Sequence, residues 1–154
     1  MSKTYIGIDI GKTGAICILQ PHENKIEIHK MPATPADVVA LLYPVIAVEG
    51  IGNVRCAVEK QQSGGFGGMK VGVTSMFNFG MGYGIIQGVL AGMHMPFILV
   101  PPKTWQKELG ALPKDKPKRK TEILMRMQSM YPQAKIYKYA ADAVAIAEYA
   151  TRHL

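Results

Sequence analysis

Residues 3–20, Lys-Thr-Tyr-Ile-Gly-Ile-Asp-Ile-Gly-Lys-Thr-Gly-Ala-Ile-Cys-Ile-Leu-Gln, constrain the fold more than any other stretch. They read as two β-strands joined by a tight turn, because β-branched residues crowd both sides of Gly11-Lys12-Thr13-Gly14. Asp9 sits near the end of the first strand, where an acid is a poor strand former and expensive to bury alone. A metal cation, or a phosphate-bound metal, is the usual partner for such a group. The flanking glycines let backbone, metal and substrate come close. Glu59 and Asp142 recur far along the chain in similarly apolar settings. The reading is that the fold exists to bring these three carboxylates together.

The rest of the chain supplies a way to do so. Residues 4–10, 14–20 and 24–30 read as three strands of an antiparallel meander. Residues 37–47 have helical apolar spacing at Val38, Leu41, Leu42 and Val45, although Pro44 disturbs it. Residues 54–59 form a fourth strand. A strand, helix, strand connection implies a right-handed crossover and a strand parallel to the first. Asp9 and Glu59 then emerge at the same sheet edge. A helix over 75–93 carries Gly80, Gly84, Gly88 and Gly92 on one face. Each costs about 1 kcal/mol relative to alanine, so close approach of a neighbouring element or of a second copy must account for them. Residues 96–100 read as a fully buried fifth strand, and Pro101 and Pro102 open a helix stopped by Gly110. A basic, proline-broken loop over 113–120 precedes a helix over 121–131. The last helix, 140–153, is alanine-rich and places Asp142 in its first turn, where the helix dipole favours a carboxylate.

Charge narrows the partner. The net charge of +7 is uneven: residues 1–102 hold seven basic and six acidic residues, and residues 103–154 hold eleven basic and five acidic. A basic half beside an acidic site points to a polyanion, nucleic acid foremost. Lys114, Lys116, Lys118, Arg119 and Lys120 make the 113–120 segment a natural phosphate grip. Phe66, alone among four glycines in residues 61–70, either stacks on a nucleic-acid base or folds back onto the core. Residues 71–102 hold no charged side chain, yet Asn78, Gln87, His94 and Pro96 interrupt them and no membrane span is expected. The 154 residues suit a single domain, 1–154, without a signal sequence. Cys17 and Cys56 lie inside strands and read as buried thiols of a reducing, cytoplasmic compartment.

Ile6-Gly-Ile-Asp-Ile-Gly-Lys-Thr-Gly14, Val58-Glu-Lys-Gln61 and Ala140-Ala-Asp-Ala-Val-Ala-Ile-Ala147, in this order, resemble the RNase H-like nucleases and, within them, the RuvC-type Holliday-junction resolvases. The resemblance implies an α/β, RNase H-like fold: a five-stranded mixed sheet, made of a three-stranded antiparallel meander plus two parallel strands, flanked by helices. It implies a homodimer that cleaves branched DNA with Mg²⁺, Mn²⁺ substituting. Asp9, Glu59 and Asp142 match the family's metal-binding, catalytic acids, and paired metals about 4 Å apart suit in-line displacement at phosphorus. Phe66 falls in the loop of the junction-stacking aromatic. Lys107 and Lys120 lie where the family places DNA-contacting lysines, and Lys103 joins them as a candidate. Two residues depart from the pattern. Tyr139 stands where the family often has a fourth acid or His, and a phenol is a poor Mg²⁺ ligand. Ile10 replaces a common proline, which suggests a phage-type member. Rival readings are a related nuclease for other nucleic-acid structures, a non-catalytic DNA-binding relative, and a fragment of an actin-like or sugar-kinase ATP-binding fold. The last needs two domains where 154 residues supply one.

Overall fold

The alternation of side chains in the first two strands divides the interior into two layers. In the computed structural model, which describes residues 3–61 and 72–154, strand β1 spans Thr4–Asp9 and β2 spans Ala15–Gln20. They pair antiparallel with Ile6 opposite Ile18 and Ile8 opposite Ile16. Those four isoleucines point to one face of the sheet, and Cys17 and Leu19 point to the other. β3 (Lys25–Lys30) extends the meander, and β4 (Val54–Glu59) runs parallel to β1. β5 (Phe97–Val100) adds parallel to β4, giving the order β3-β2-β1-β4-β5. The sheet is therefore five-stranded and mixed, as expected.

Helices cover both faces. On the isoleucine side, α1 (Pro35–Glu49) and α2 (Val73–Gly92) contribute Val38, Leu42, Ile86 and Leu90. α1 runs through Pro44. On the other side, α5 (Ala141–His153) lies across β1 and β2, with α3 (Pro102–Lys107) and α4 (Lys116–Met130) beside it. Ala143, Ala147 and Ala150 are fully buried, so small side chains do let α5 press close to the strands. The approach is tightest at Gly7, where a Cβ would stand 2.2 Å from Ala143 O and 2.3 Å from Ala147 N. Both neighbours are backbone and cannot step aside. Gly7→Ala should therefore lower stability by ~3 kcal/mol, read as a fall in the denaturation midpoint of the metal-free chain.

Two sequence expectations need correction, and a third is left to a second copy of the chain. The basic segment 113–120 is only in part a loop, because α4 begins at Lys116. Asp115 caps it by accepting from the Lys118 backbone N–H at 3.0 Å, and Pro117 sits in the first turn, where its missing N–H costs nothing. β5 is an edge strand, so Phe97, Ile98 and Leu99 are half-buried and only Val100 is fully buried. Among the described residues the glycine face of α2 has no close neighbour: Cβ atoms built on Gly80, Gly84, Gly88 and Gly92 meet nothing within 4 Å. Cys17 and Cys56 are buried and unpaired, as expected. Among the described residues, no helix is long and apolar enough to cross a membrane.

Candidate active site

Parallel pairing of β1 and β4 does for the acids what the crossover argument required. Ile8 stands opposite Val58, so Asp9 and Glu59 follow as the last residues of neighbouring strands. Asp142, in the first turn of α5, comes to the same strand ends because α5 lies against β1. The Gly11–Gly14 turn closes below Asp9, with the Gly14 N–H donating to Gly11 O at 2.9 Å. A Cβ on Gly14 would stand 2.1 Å from Asp9 O, so only glycine lets the turn fold back this tightly.

The electrostatics of the three carboxylates are those of a shared site. Asp9 is pushed up to about 8, first by burial, then by the negative charges of Glu59 and Asp142, with Lys120 opposing. Glu59 is raised by burial and by Asp142, and lowered by hydrogen bonds from Trp105 and Gln61. Asp142 is raised by burial and lowered by Lys120, then by Arg119 and Lys116. Lys120 Nζ stands 3.7 Å from Asp142 Oδ2. Three mutually repelling, half-buried carboxylates are the kind of oxygen donor that a hard divalent cation takes. Among the described residues, no group of three or more His, Cys, Asp or Glu is placed so as to hold a metal ion by itself, so a cation here would need waters or substrate oxygens as further ligands. Mg²⁺ fits that arrangement, because it commonly keeps its waters and takes one or two carboxylates plus a substrate phosphate.

The basic candidates divide by position. Lys116, Arg119 and Lys120 share one face of α4, and all three act on Asp142. Arg119 also donates to Lys114 O at 3.0 Å, fastening the preceding loop to the helix. Lys114 and Lys118 are exposed at the same end of α4, and Lys103 and Lys107 are exposed on α3. Phe66 lies outside the described residues. The Tyr139 ring is stacked with Tyr137 at 5.8 Å between centroids, and Lys30 Nζ is 5.4 Å from its centroid. Ile10 is a core residue. Trp105 was missed by sequence reasoning: its indole N–H donates to Glu59 Oε2 at 3.0 Å. Nothing but a lone aromatic after two prolines signalled it.

No protein-family model matches the chain, and no curated protein matches it in sequence. Solved structures do. T. thermophilus RuvC in complex with a Holliday junction substrate superposes with a TM-score of 0.56 at 17% identity, over 94% of this chain and 90% of that one. The fold is that of RuvC. A second Thermus thermophilus RuvC structure superposes over the same shares of both chains with a TM-score of 0.55, also at 17% identity. The chain thus has a RuvC-type resolvase fold, RNase H-like in its mixed sheet and flanking helices.

Proposed function

We propose that this chain is a metal-dependent endonuclease that hydrolyses phosphodiester bonds in branched DNA, with Holliday junctions as its substrate. The observation that carries the reading is the meeting of Asp9, Glu59 and Asp142 at one sheet edge, where desolvation first and the other two acids next raise the half-buried Asp9, with the basic face of α4 turned toward them. Asp9, Glu59 and Asp142 would hold Mg²⁺, for which Mn²⁺ would substitute; the chemistry such an ion would supply is activation of the attacking water and stabilisation of the leaving oxygen. Lys116 and Lys120 draw the scissile phosphate to the acids and offset its charge, and Lys103, Lys107, Lys114 and Lys118 extend the grip along the DNA. Arg119 shapes the loop that carries Lys114. Phe66 stacks in the branch point. The RuvC of the superposed complex holds a Holliday junction substrate, and that likeness supports the choice of substrate.

The test is incubation with a four-way junction, a matched duplex and an RNA–DNA hybrid, each with Mg²⁺ or EDTA. Cleavage of the junction, with Mg²⁺ only, is expected. Cleavage of the hybrid in preference makes the chain a nuclease of another specificity, and binding without cleavage makes it a non-catalytic relative.

The proposed enzyme is a homodimer built on α2. That helix carries no charged residue, and Val73, Phe77, Met76 and Met81 are exposed on it, the first two at 85% and 68%. A glycine face with open space before it accepts a second backbone closely. Gly84→Arg should leave the monomer folded, since arginine is the better helix former, and should halve the mass in solution to one 16.8 kDa chain. Sedimentation equilibrium reads this. A monomeric wild type would overturn the homodimer, and a variant that still dimerises would place its interface elsewhere.

A further inference from the structure

Trp105 is 1% exposed, and its indole N–H can only donate. A buried indole N–H needs a partner, and a backbone carbonyl would serve. Here the partner is Oε2 of Glu59, a strand-end carboxylate 46 positions away in sequence. The placement follows from the sheet. Glu59 pairs in register with Val100, and Lys60 N–H donates to Val100 O at 2.8 Å. Pro101 then turns the chain directly into α3, whose one buried residue is Trp105. Among the described residues, the other oxygen of Glu59, Oε1, receives only a long hydrogen bond from Gln61 Nε2, at 3.5 Å. The two oxygens are therefore unequal: one is held by a rigid, packed donor, and the other by a flexible side chain that a cation can displace.

We infer that Trp105 is a positioning residue that keeps Glu59 Oε2 occupied, so that Glu59 offers a cation Oε1 alone and the site favours Mg²⁺ over Ca²⁺. The inference rests on the reading of Glu59 as a metal ligand. Mg²⁺ is small and takes near-ideal octahedral geometry with few protein ligands, whereas Ca²⁺ accepts six to eight oxygens and readily takes both oxygens of one carboxylate. Releasing Oε2 lets Glu59 turn both oxygens to the ion, which suits calcium. It also removes the bond that fixes the rotamer on which magnesium depends.

The test is calorimetric titration of the full chain with MgCl₂ and, separately, CaCl₂. Trp105→Phe removes the N–H. Trp105 is also the only tryptophan in the sequence. A tryptophan auxotroph fed β-(3-benzothienyl)alanine therefore replaces it alone, with sulfur in place of N–H and nearly the same shape, should the phenylalanine variant fold poorly. Loss of such a supporting bond weakens metal binding by roughly 10–100-fold. The expected result is a Mg²⁺ affinity lowered within that range and a Ca²⁺ affinity held or raised, so that the ratio moves toward Ca²⁺ by about tenfold or more. A purely structural tryptophan would weaken both ions in parallel or neither. Glu59→Gln separates the two readings. If it removes Mg²⁺ binding while the benzothienyl protein keeps the wild-type ratio, the role of Trp105 is overturned and the metal site stands. If Glu59→Gln leaves Mg²⁺ binding unchanged, Glu59 is not a ligand and the proposed site falls with the inference.

Discussion

Asp9→Asn is expected to lose junction cleavage by more than about a hundredfold, the loss that removing even a supporting partner of a metal ligand can bring. The same change should raise the stability of the metal-free protein. The Asp9 carboxyl is half-buried, and in the fold desolvation and the neighbouring acids raise its pKa from 3.8 to about 8. Between those values the folded chain holds a proton that the unfolded chain has released. Stability therefore falls as pH rises through that window, by up to about 1.4 kcal/mol per unit. Asparagine is neutral throughout and has no such slope. The metal-free variant should thus melt above the wild type at pH 7, and the gap should close toward pH 4. Junction binding should survive or tighten, because one negative charge leaves the phosphate path. Thermal melts across pH, with binding and single-turnover cleavage of one junction, check all three parts. Loss of binding together with cleavage in a folded variant would mean that Asp9 acts on DNA rather than on metal.

Changing Lys116, Lys118, Arg119 and Lys120 together to alanine should weaken binding to every DNA substrate by about a thousandfold at low salt, if charge-assisted hydrogen bonds to phosphate contribute near 1.5 kcal/mol each. The log-log salt slope should fall by about 0.9 for each phosphate that is no longer neutralised. The drop should correspond to three phosphates rather than four, because Arg119 is engaged with the Lys114 carbonyl. Lys120 adds a second consequence. Its ammonium stands beside Asp142 and lowers that carboxyl, so its removal also deepens the repulsion among the acids. Fluorescence anisotropy over a salt series reads the slope, and an unchanged slope would move the DNA surface off α4.

Local pattern carried the sheet and most of the site. The strand, acid and glycine-turn signals at residues 3–20 place β1, β2 and Asp9, and the crossover rule places Glu59 beside it. The alanines of α5 foretold its close seat, and with it the position of Asp142. What the sequence hid depends on choices made in three dimensions. Lysines and prolines at 113–120 read as a loop because Pro117 looks like a breaker, yet a capped first turn tolerates it. The edge position of β5 follows from strand order, which an apolar run does not encode. Trp105 reaches Glu59 only through the parallel pairing of β4 and β5, and no spacing along the chain announces a bond across 46 residues. The glycine repeat of α2 suggested close approach of a neighbour, yet among the described residues open space lies before it.

The central claim is that Asp9, Glu59 and Asp142 form one metal-dependent hydrolytic site for branched DNA. It is tested most directly by single-turnover cleavage of an end-labelled four-way junction, followed by treatment of the products with DNA ligase. In Mg²⁺, the wild type should nick the junction and leave 5′-phosphate and 3′-hydroxyl ends that the ligase seals. EDTA, Asp9→Asn, Glu59→Gln and Asp142→Asn should each abolish the nicks while the junction stays bound. Nicks that persist in EDTA or in these variants, or a wild type that binds the junction in Mg²⁺ and leaves it uncut, would contradict it.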